Sequence, residues 1–423
     1  MGIYMINNTR YLLLGLGIGN KAVKDFLEKH KFEFLIYDDY IKEYKKDIDY
    51  NMFDVLVKTS GINDDHFIIR NARRLDKIII SDLELFYHYS LPKKIICVTG
   101  SNGKTTTVSL IHHILSDLDL GGNIGHAVCN FIESSKDIII EASSFMLDYT
   151  NNFHANINVY TNLYTNHLDH HDSLKSYIKA KLKLIQNIKK DDYIIYNHDD
   201  ILVRRLFENL DVRKIPFSKF INNGVYIKDN NIYYNGKLIY NISNIKLMGE
   251  HNIYNILACS AVVCAHDIGK IQLLKRLDSF VTLDHRIEYL GEINGAKIYN
   301  DSKSTNFIAL KSSLNTFKDK DVLLICGGKL KEDDFSMIKD ELKQIKFVII
   351  NGENRVLLSN FFKKNRIDHL ILKDLESVCD VLLNYINGVD VVLFSPGSSS
   401  YDQFNNFEVR GIYFKNRIAK LIN

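Results

Sequence analysis

Thr99-Gly100-Ser101-Asn102-Gly103-Lys104-Thr105-Thr106 follows the apolar run Lys94 to Thr99 and precedes a helical pattern, Thr107 to Leu115. Strand, glycine turn and helix in that order make a cradle for phosphate. Glycines let backbone N–H groups approach the oxygens, and the helix N-terminus adds partial positive charge. The lysine adds a full charge, and the hydroxyl after it can hold Mg²⁺. Val98 stands where a usual loop of this kind has its first glycine, so the motif is a shortened variant. The bland alternative is a strand-to-helix turn with a solvated lysine.

Outward from this loop, apolar runs of strand length alternate with helical patterns, the signature of parallel sheets covered by helices. The first block holds Tyr11 to Leu14, the turn Gly15-Leu16-Gly17-Ile18-Gly19, a helix from Asn20 and a strand Phe34 to Tyr37. The second holds strands Asp137 to Ala142, Ile157 to Asn162 and Tyr193 to Tyr196, then a polar hairpin stretch, Gly224 to Ile242, with Asn-Asn and Asn-Gly turn signals. The third holds Val322 to Cys326, Phe347 to Ile350 and Val391 to Ser395. At 423 residues the chain exceeds one comfortable core. The expectation is an α/β protein of three domains. Residues 1–91 form a Rossmann-like domain, 92–283 a central P-loop-type mononucleotide-binding sheet, and 284–423 a second Rossmann-like domain.

Composition excludes several classes. With 46% hydrophobic and 25% charged residues, extended disorder is ruled out. Lys plus Arg is 54 against 51 for Asp plus Glu, a net of +3, which leaves no nucleic-acid footprint. Apolar runs stop far short of the roughly 20 residues a bilayer needs, so no membrane partner is expected. Six cysteines without a C-x-x-C pair point to a reduced, cytoplasmic protein.

Three positions stand out by residue type and place. Glu141 ends a buried strand on the edge where such sheets hold ligands, and a carboxylate there suits Mg²⁺. Lys181 falls in the middle of the stripe Leu174, Tyr177, Ile178, Leu182, Ile185 of a helix capped by Asp172 or Ser173. A lysine on a buried face is costly as an ammonium unless paired or chemically altered; the bland reading is a snorkelling lysine at a domain edge. Among Asn166, His167, Asp169, His170 and His171, one functional histidine is expected beside solvated ones.

Several stretches have to be explained together: T-G-S-N-G-K-T-T (99–106), G-G-N-I-G (121–125), E-A-S-S-F (141–145), N-L-Y-T-N-H-L-D (162–169), G-E-H-N-I-Y-N (249–255), L-D-H-R-I-E (283–288), N-D-S-K-S-T-N (300–306) and S-P-G-S-S-S-Y-D-Q-F-N-N-F-E-V-R-G (395–411). Their order and spacing resemble the Mur ligases of peptidoglycan synthesis, most closely the branch that adds D-glutamate to UDP-N-acetylmuramoyl-L-alanine. The resemblance covers all three blocks. It implies ATP-dependent amide formation through an acyl phosphate, with a monomer acting on small-molecule substrates.

Carried over by position, Gly100, Ser101, Asn102, Gly103, Lys104, Thr105 and Thr106 would cradle the ATP phosphates. The Thr105 hydroxyl and Glu141 would bind one Mg²⁺. His167 and Lys181, the latter aligned with a lysine that such enzymes carbamylate, would hold a second. Asn123 and Ser143 would position the muramoyl substrate, and Gly17, Asp38, Asp39 and Ser60 its UDP. Asn255, Arg286 and Asp301, with His285 nearby, would hold ATP. Lys303, Lys331, Ser400, Tyr401 and Phe407 would bind D-glutamate, with neighbouring lysines competing for the place of Lys331.

The departures are Asn20 where a glycine or small residue would complete the first turn, Thr59-Ser60-Gly61 where S-P-G is expected, and Met146 in place of glutamine. Asp38 also follows Gly17 by 21 residues, as in a nicotinamide-binding unit, which makes an oxidoreductase the competing class. That reading, like a P-loop switch or transport ATPase, leaves part of the chain unexplained. A folylpolyglutamate synthase-like ligase is the nearest chemical alternative.

Overall fold

The computed structural model describes residues 9–164, 173–245, 247, 249–329 and 334–422. Four short runs, β1 (Tyr11–Leu14), β2 (Phe34–Tyr37), β3 (Val55–Lys58) and β4 (Ile78–Ile80), form a parallel sheet in the order β2-β1-β3-β4. β1 and β3 are buried along their whole length, as continuous apolar strands covered on both faces must be. Helices α1 (Ile18–Lys29), α2 (Phe67–Arg74) and α3 (Asp82–Tyr89) follow strands β1, β3 and β4. The strand order reverses between β1 and β3, and a crevice at such a point is where this topology seats ligands.

The second sheet has nine strands. β5 (Ile95–Thr99), β6 (Asp119–Gly122), β7 (Ile138–Glu141), β8 (Ile157–Tyr160), β9 (Tyr193–Asn197) and β10 (Arg213–Ser218) pair in parallel. β11 (Val225–Lys228), β12 (Asn231–Tyr234) and β13 (Lys237–Asn241) extend it as a meander, giving the order β13-β12-β11-β10-β9-β8-β5-β7-β6. The expected hairpin is therefore two successive hairpins. Their turns lie at Asp229-Asn230 and Asn235-Gly236, all four residues at positive φ, one position earlier than the Asn-Asn signal suggests. Helices α4 (Lys104–Ile114), α5 (Ser144–Asp148) and α6 (Leu174–Leu182) belong to this sheet's connections. α6 opens with a capping box between Ser173 and Ser176.

The third sheet runs β14-β15-β19-β16-β17-β18, with β14 (Glu288–Ile293) antiparallel to β15 (Ala296–Asn300). β16 (Val322–Cys326), β17 (Ile345–Ile350), β18 (His369–Ile371) and β19 (Val391–Phe394) are parallel. Besides β3, β4, β6, β10 and β18, the apolar-run reading missed the β14–β15 hairpin. β14 is only partly buried, so it carries no continuous apolar signal.

The chain divides into two compact units, 1–245 with 254–279, and 246–253 with 280–423. The first contains the first two sheets and the second the third. Among the described residues no helix is long and apolar enough to cross a membrane.

Candidate active site

The phosphate loop leaves β5, whose neighbours are β7 and β8. Its shape is held from the β8 side. Ser101 N donates to Asn162 O at 2.9 Å and Asn102 N to Asn162 Oδ1 at 2.8 Å, while Thr161 Oγ1 donates to Asn102 O at 2.7 Å. Gly100 and Gly103 both sit at positive φ, 145° and 84°. A Cβ on Gly100 would lie 2.0 Å from Thr161 Oγ1, and one on Gly103 2.5 Å from Asn255 Oδ1, so neither position admits another residue. Gly103 caps α4, which therefore begins at Lys104, three residues before the apolar pattern indicates. Thr105 is half-buried and Thr106 buried. Asn255 is buried beneath the loop and accepts from Thr107 Oγ1 at 3.2 Å.

Two lysines converge on one carbonyl oxygen. Lys104 Nζ donates to Gly100 O and Ser101 O, each at 2.8 Å. Lys181 Nζ donates to the same Gly100 O at 3.0 Å and to Thr99 Oγ1 at 3.1 Å. Lys181 is 1% exposed, and its Nζ lies 4.8 Å from the centre of the Tyr177 ring. Burial, and then the charge of Lys104, hold the Lys181 amine well below its ordinary pKa. The buried-face expectation for Lys181 thus holds, and its burial favours the uncharged amine over the ammonium.

Glu141 ends β7 opposite Val98 in the register and is 2% exposed. Oε1 accepts from Asn123 Nδ2 at 3.2 Å, while Oε2 is buried without a hydrogen-bond partner among the described residues. A buried carboxylate oxygen left over beside a phosphate loop fits a divalent cation. No group of three or more His, Cys, Asp or Glu converges among the described residues. Mg²⁺ held by one carboxylate, a hydroxyl and phosphate oxygens requires no such group. Ser143 caps α5, its Oγ accepting from Met146 N at 3.3 Å. His167 lies outside the described residues.

At the carboxyl edge of the first sheet, Asp38 accepts from Leu16 N through Oδ2 and from Tyr40 N and Ile41 N through Oδ1. Its oxygens are engaged by backbone, which leaves little for a ribose. Asp39 accepts from Tyr37 OH at 3.2 Å and pairs with His66 Nε2 at 3.1 Å. Asn20, the departure from the glycine pattern, is fully buried; its amide donates to Leu14 O, Gly15 O and Val57 O. Asp82, its carboxyl pushed up to about 6 by burial, lies where a Cβ on Gly19 would meet Oδ2 at 2.4 Å. A carboxyl group therefore faces the first turn of α1, where a dinucleotide pyrophosphate would sit. Gly17 packs against Thr59, and Ser60 is half-buried in the turn after β3.

In the second unit, Asp301 is buried. Its Oδ2 accepts from Ser313 and from Ser395 Oγ at 2.8 Å, and its Oδ1 from Ile287 N at 3.3 Å. Burial raises this carboxyl to about 6 despite those donors. Lys303 N donates to His285 O at 3.1 Å, and Lys303 Nζ stands 3.7 Å from the centre of the Phe407 ring. Arg286 is half-buried beside His285, Ser400 is buried and Tyr401 exposed. Lys331 lies outside the described residues. Arg410, present in the 395–411 stretch but without a role there, spans this region. Its Nε donates to Ser302 Oγ, NH2 to Ser302 O and NH1 to Ser398 O, at 2.8–3.0 Å. A buried guanidinium thus ties the loop after β15 to the loop after β19. The only signal for it was its place three residues after Phe407 on one helix face. Tyr177, Thr99 and Asn162 were likewise missed as partners of Lys181 and the loop.

Comparison with known proteins agrees with this geometry. Residues 98–263 match the family described as Mur ligase middle domain. UDP-N-acetylmuramoylalanine–D-glutamate ligase of Geobacillus sp. (strain WCH70) is 34% identical over 379 residues, covering 87% of this chain and 84% of the relative. The protein of that name from Rickettsia prowazekii is 33% identical, covering 94% and 95%. Among solved structures, the MurC ligase of Thermotoga maritima superposes with a TM-score of 0.64 at 18% identity, covering 98% of this chain and all of that one. The MurF ligase of the same organism, solved with ADP, gives 0.60 at 15% identity over 98% of this chain and 96% of its own. The two structures speak for the fold, and the identity shared with the relatives over most of both chains decides the rest: the chain belongs to the Mur ligase family, with the UDP-N-acetylmuramoylalanine–D-glutamate ligases, and is an ATP-dependent amide-forming ligase of peptidoglycan precursor synthesis.

Proposed function

We propose that the protein joins D-glutamate to UDP-N-acetylmuramoyl-L-alanine, working as a cytoplasmic monomer of three domains, 1–91, 92–283 and 284–423. In this reading the first sheet carries the UDP group, the loop Gly100 to Thr106 the triphosphate, and the second unit the amino acid. The observation that supports it most is the convergence of Lys104 and Lys181 on Gly100 O beside the spare oxygen of Glu141. Two ammonium groups on one carbonyl repel, and converting one of them to an anion removes the conflict. In that conversion the ammonium gives up one proton, the neutral Lys181 nitrogen adds to CO₂, an N–C bond forms and a second proton leaves, so a +1 side chain becomes a −1 oxygen donor.

Mg²⁺, when bound, would neutralise charge on the transferring phosphoryl group. Glu141, Thr105, His167 and carbamylated Lys181 are the residues that would hold two such ions. Lys104 exchanges its loop carbonyls for the β and γ oxygens. The substrate carboxylate then attacks the γ-phosphorus, and ADP leaves. The amine of D-glutamate, with Lys303, Lys331, Ser400, Tyr401 and Phe407 as its seat, attacks the acyl phosphate, loses a proton and expels phosphate. Exclusion of water keeps the acyl phosphate from hydrolysis.

The test is stoichiometric. Phosphate release from ATP requires both UDP-N-acetylmuramoyl-L-alanine and D-glutamate, in a protein that light scattering shows to be a single chain. Equal release with neither substrate, or with L-glutamate and a folate, overturns the reading.

A further inference from the structure

Lys58 has no role in any of the chemistry above, yet it is the most unusual cation of the first sheet. It closes β3, directly opposite Leu14 of β1, at the point where the strand order reverses. Its side chain is 1% exposed, and its Nζ has no hydrogen-bond partner among the described residues. The nearest carboxylate, Asp64 Oδ1, is 3.9 Å away and already accepts from Tyr149 OH, while Oδ2 accepts from Arg73 NH2 at 2.7 Å. Arg73 NH2 also donates to Tyr149 OH at 2.7 Å, and the Tyr149 ring lies 4.8 Å from the lysine nitrogen. The carboxylate is thus shared with an arginine and a phenol, and three ammonium protons are buried with nothing to donate to.

Burying an ammonium in that condition is strongly unfavourable, and a protein core without a use for the charge would hold a methionine or leucine there. The 59–65 loop, which brings Asp64 to the lysine, includes exposed Gly61, with no heavy atom within 4 Å of where a Cβ would stand. Asp64 of this loop and Arg73 of α2 are 41% and 48% exposed, so the charged cluster reaches solvent on one side while Lys58 forms its buried end. The position is the carboxyl edge of a parallel sheet at its switch point, the place where this topology meets phosphate groups.

We infer that Lys58 is a binding residue for the diphosphate of the nucleotide-sugar substrate, reached when Asp64 and the 59–65 loop give way. The inference rests on the proposal that the first sheet carries the UDP group. It adds a specific donor that neither the glycine turn nor Ser60 supplies.

The experiment compares Lys58→Met with the unaltered full chain, using UDP and uridine as probes in titration calorimetry, with thermal midpoints alongside. Removing a charge-assisted hydrogen bond from a dry site weakens binding by a factor of roughly 10 to 100. The expected result is that loss for UDP, unchanged affinity for uridine, and a midpoint equal to or above that of the unaltered protein. UDP binding unchanged in the variant overturns the inference, leaving Lys58 as ballast for Asp64. UDP and uridine weakened together, with a lower midpoint, also overturns it, since the loop would then have lost its fold. If the unaltered protein binds neither probe, the underlying assignment of the first sheet fails and takes this inference with it.

Discussion

Replacing Lys181 separates two accounts of a buried lysine. Lys181→Met keeps the stem and removes the nitrogen. The amine is 1% exposed and donates only to Thr99 Oγ1 and Gly100 O, with a second ammonium on the same carbonyl. As a structural group it is therefore a burden, and its removal leaves thermal stability equal or higher. As the precursor of an anionic ligand it is essential. Losing one pre-organised electrostatic partner of a transferring phosphoryl group costs about 2.7–4 kcal/mol, a fall of roughly 10²–10³ in kcat. The assay is ADP and phosphate release with saturating substrates, run beside a thermal melt. Lys181→Ala opens space in the same place, at about 2–5 kcal/mol of stability, and acetate or formate should restore part of its activity. Carbon-13 bicarbonate should give a carbamate NMR signal in the unaltered protein that both variants lack. Turnover of the methionine variant within twofold of the unaltered protein would refute the argument, whatever the melt shows.

Gly103→Ala forces a side chain 2.5 Å from Asn255 Oδ1 at a φ of 84°, and should abolish ATP binding while leaving UDP binding intact, read by calorimetry. Asn20→Ala strips three buried carbonyls of a donor and should lower the free energy of unfolding by about 2–4 kcal/mol in urea. Glu141→Gln should reduce turnover about 10²-fold or more and raise the Mg²⁺ concentration needed for half-maximal rate. Lys58 titrates at about 8 in the folded chain, depressed by burial from 10.5. Between those values the unfolded chain binds the additional proton, so stability rises with pH. The unaltered protein should gain about 3 kcal/mol relative to Lys58→Met across that window, measured by denaturation at each pH; an equal pH response in both would refute the shift.

Tyr11–Leu14 and Val322–Cys326 were legible because they are buried on both faces, and Phe34–Tyr37, only partly buried, because its run is continuously apolar; all three have the bounds their apolar runs indicate. The loop was legible because glycine, lysine and hydroxyl residues carry their chemistry in their type. Lys181 was legible because a cation broke an apolar stripe. What escaped was whatever depends on partners distant in sequence. Arg410 reads as one more charged residue on a terminal helix until Ser302 and Ser398 are placed beside it. Asn20 reads as a defect in a glycine pattern until the carbonyls of β1 and β3 are seen to need its amide. β14, half exposed, offered neither a continuous nor an alternating apolar signal.

Asn20 also limits what this scaffold could be turned into. A designer wishing to install a nicotinamide dinucleotide would begin by restoring glycine at position 20, since one residue separates the turn from the standard fingerprint. That edit would pull out the crossbar linking two strand ends before any room for a pyrophosphate appeared, and Asp82 would still confront the newcomer with a carboxyl group. The apparent near-miss is a commitment: retooling the crevice would mean rebuilding its floor and its opposite wall in the same step.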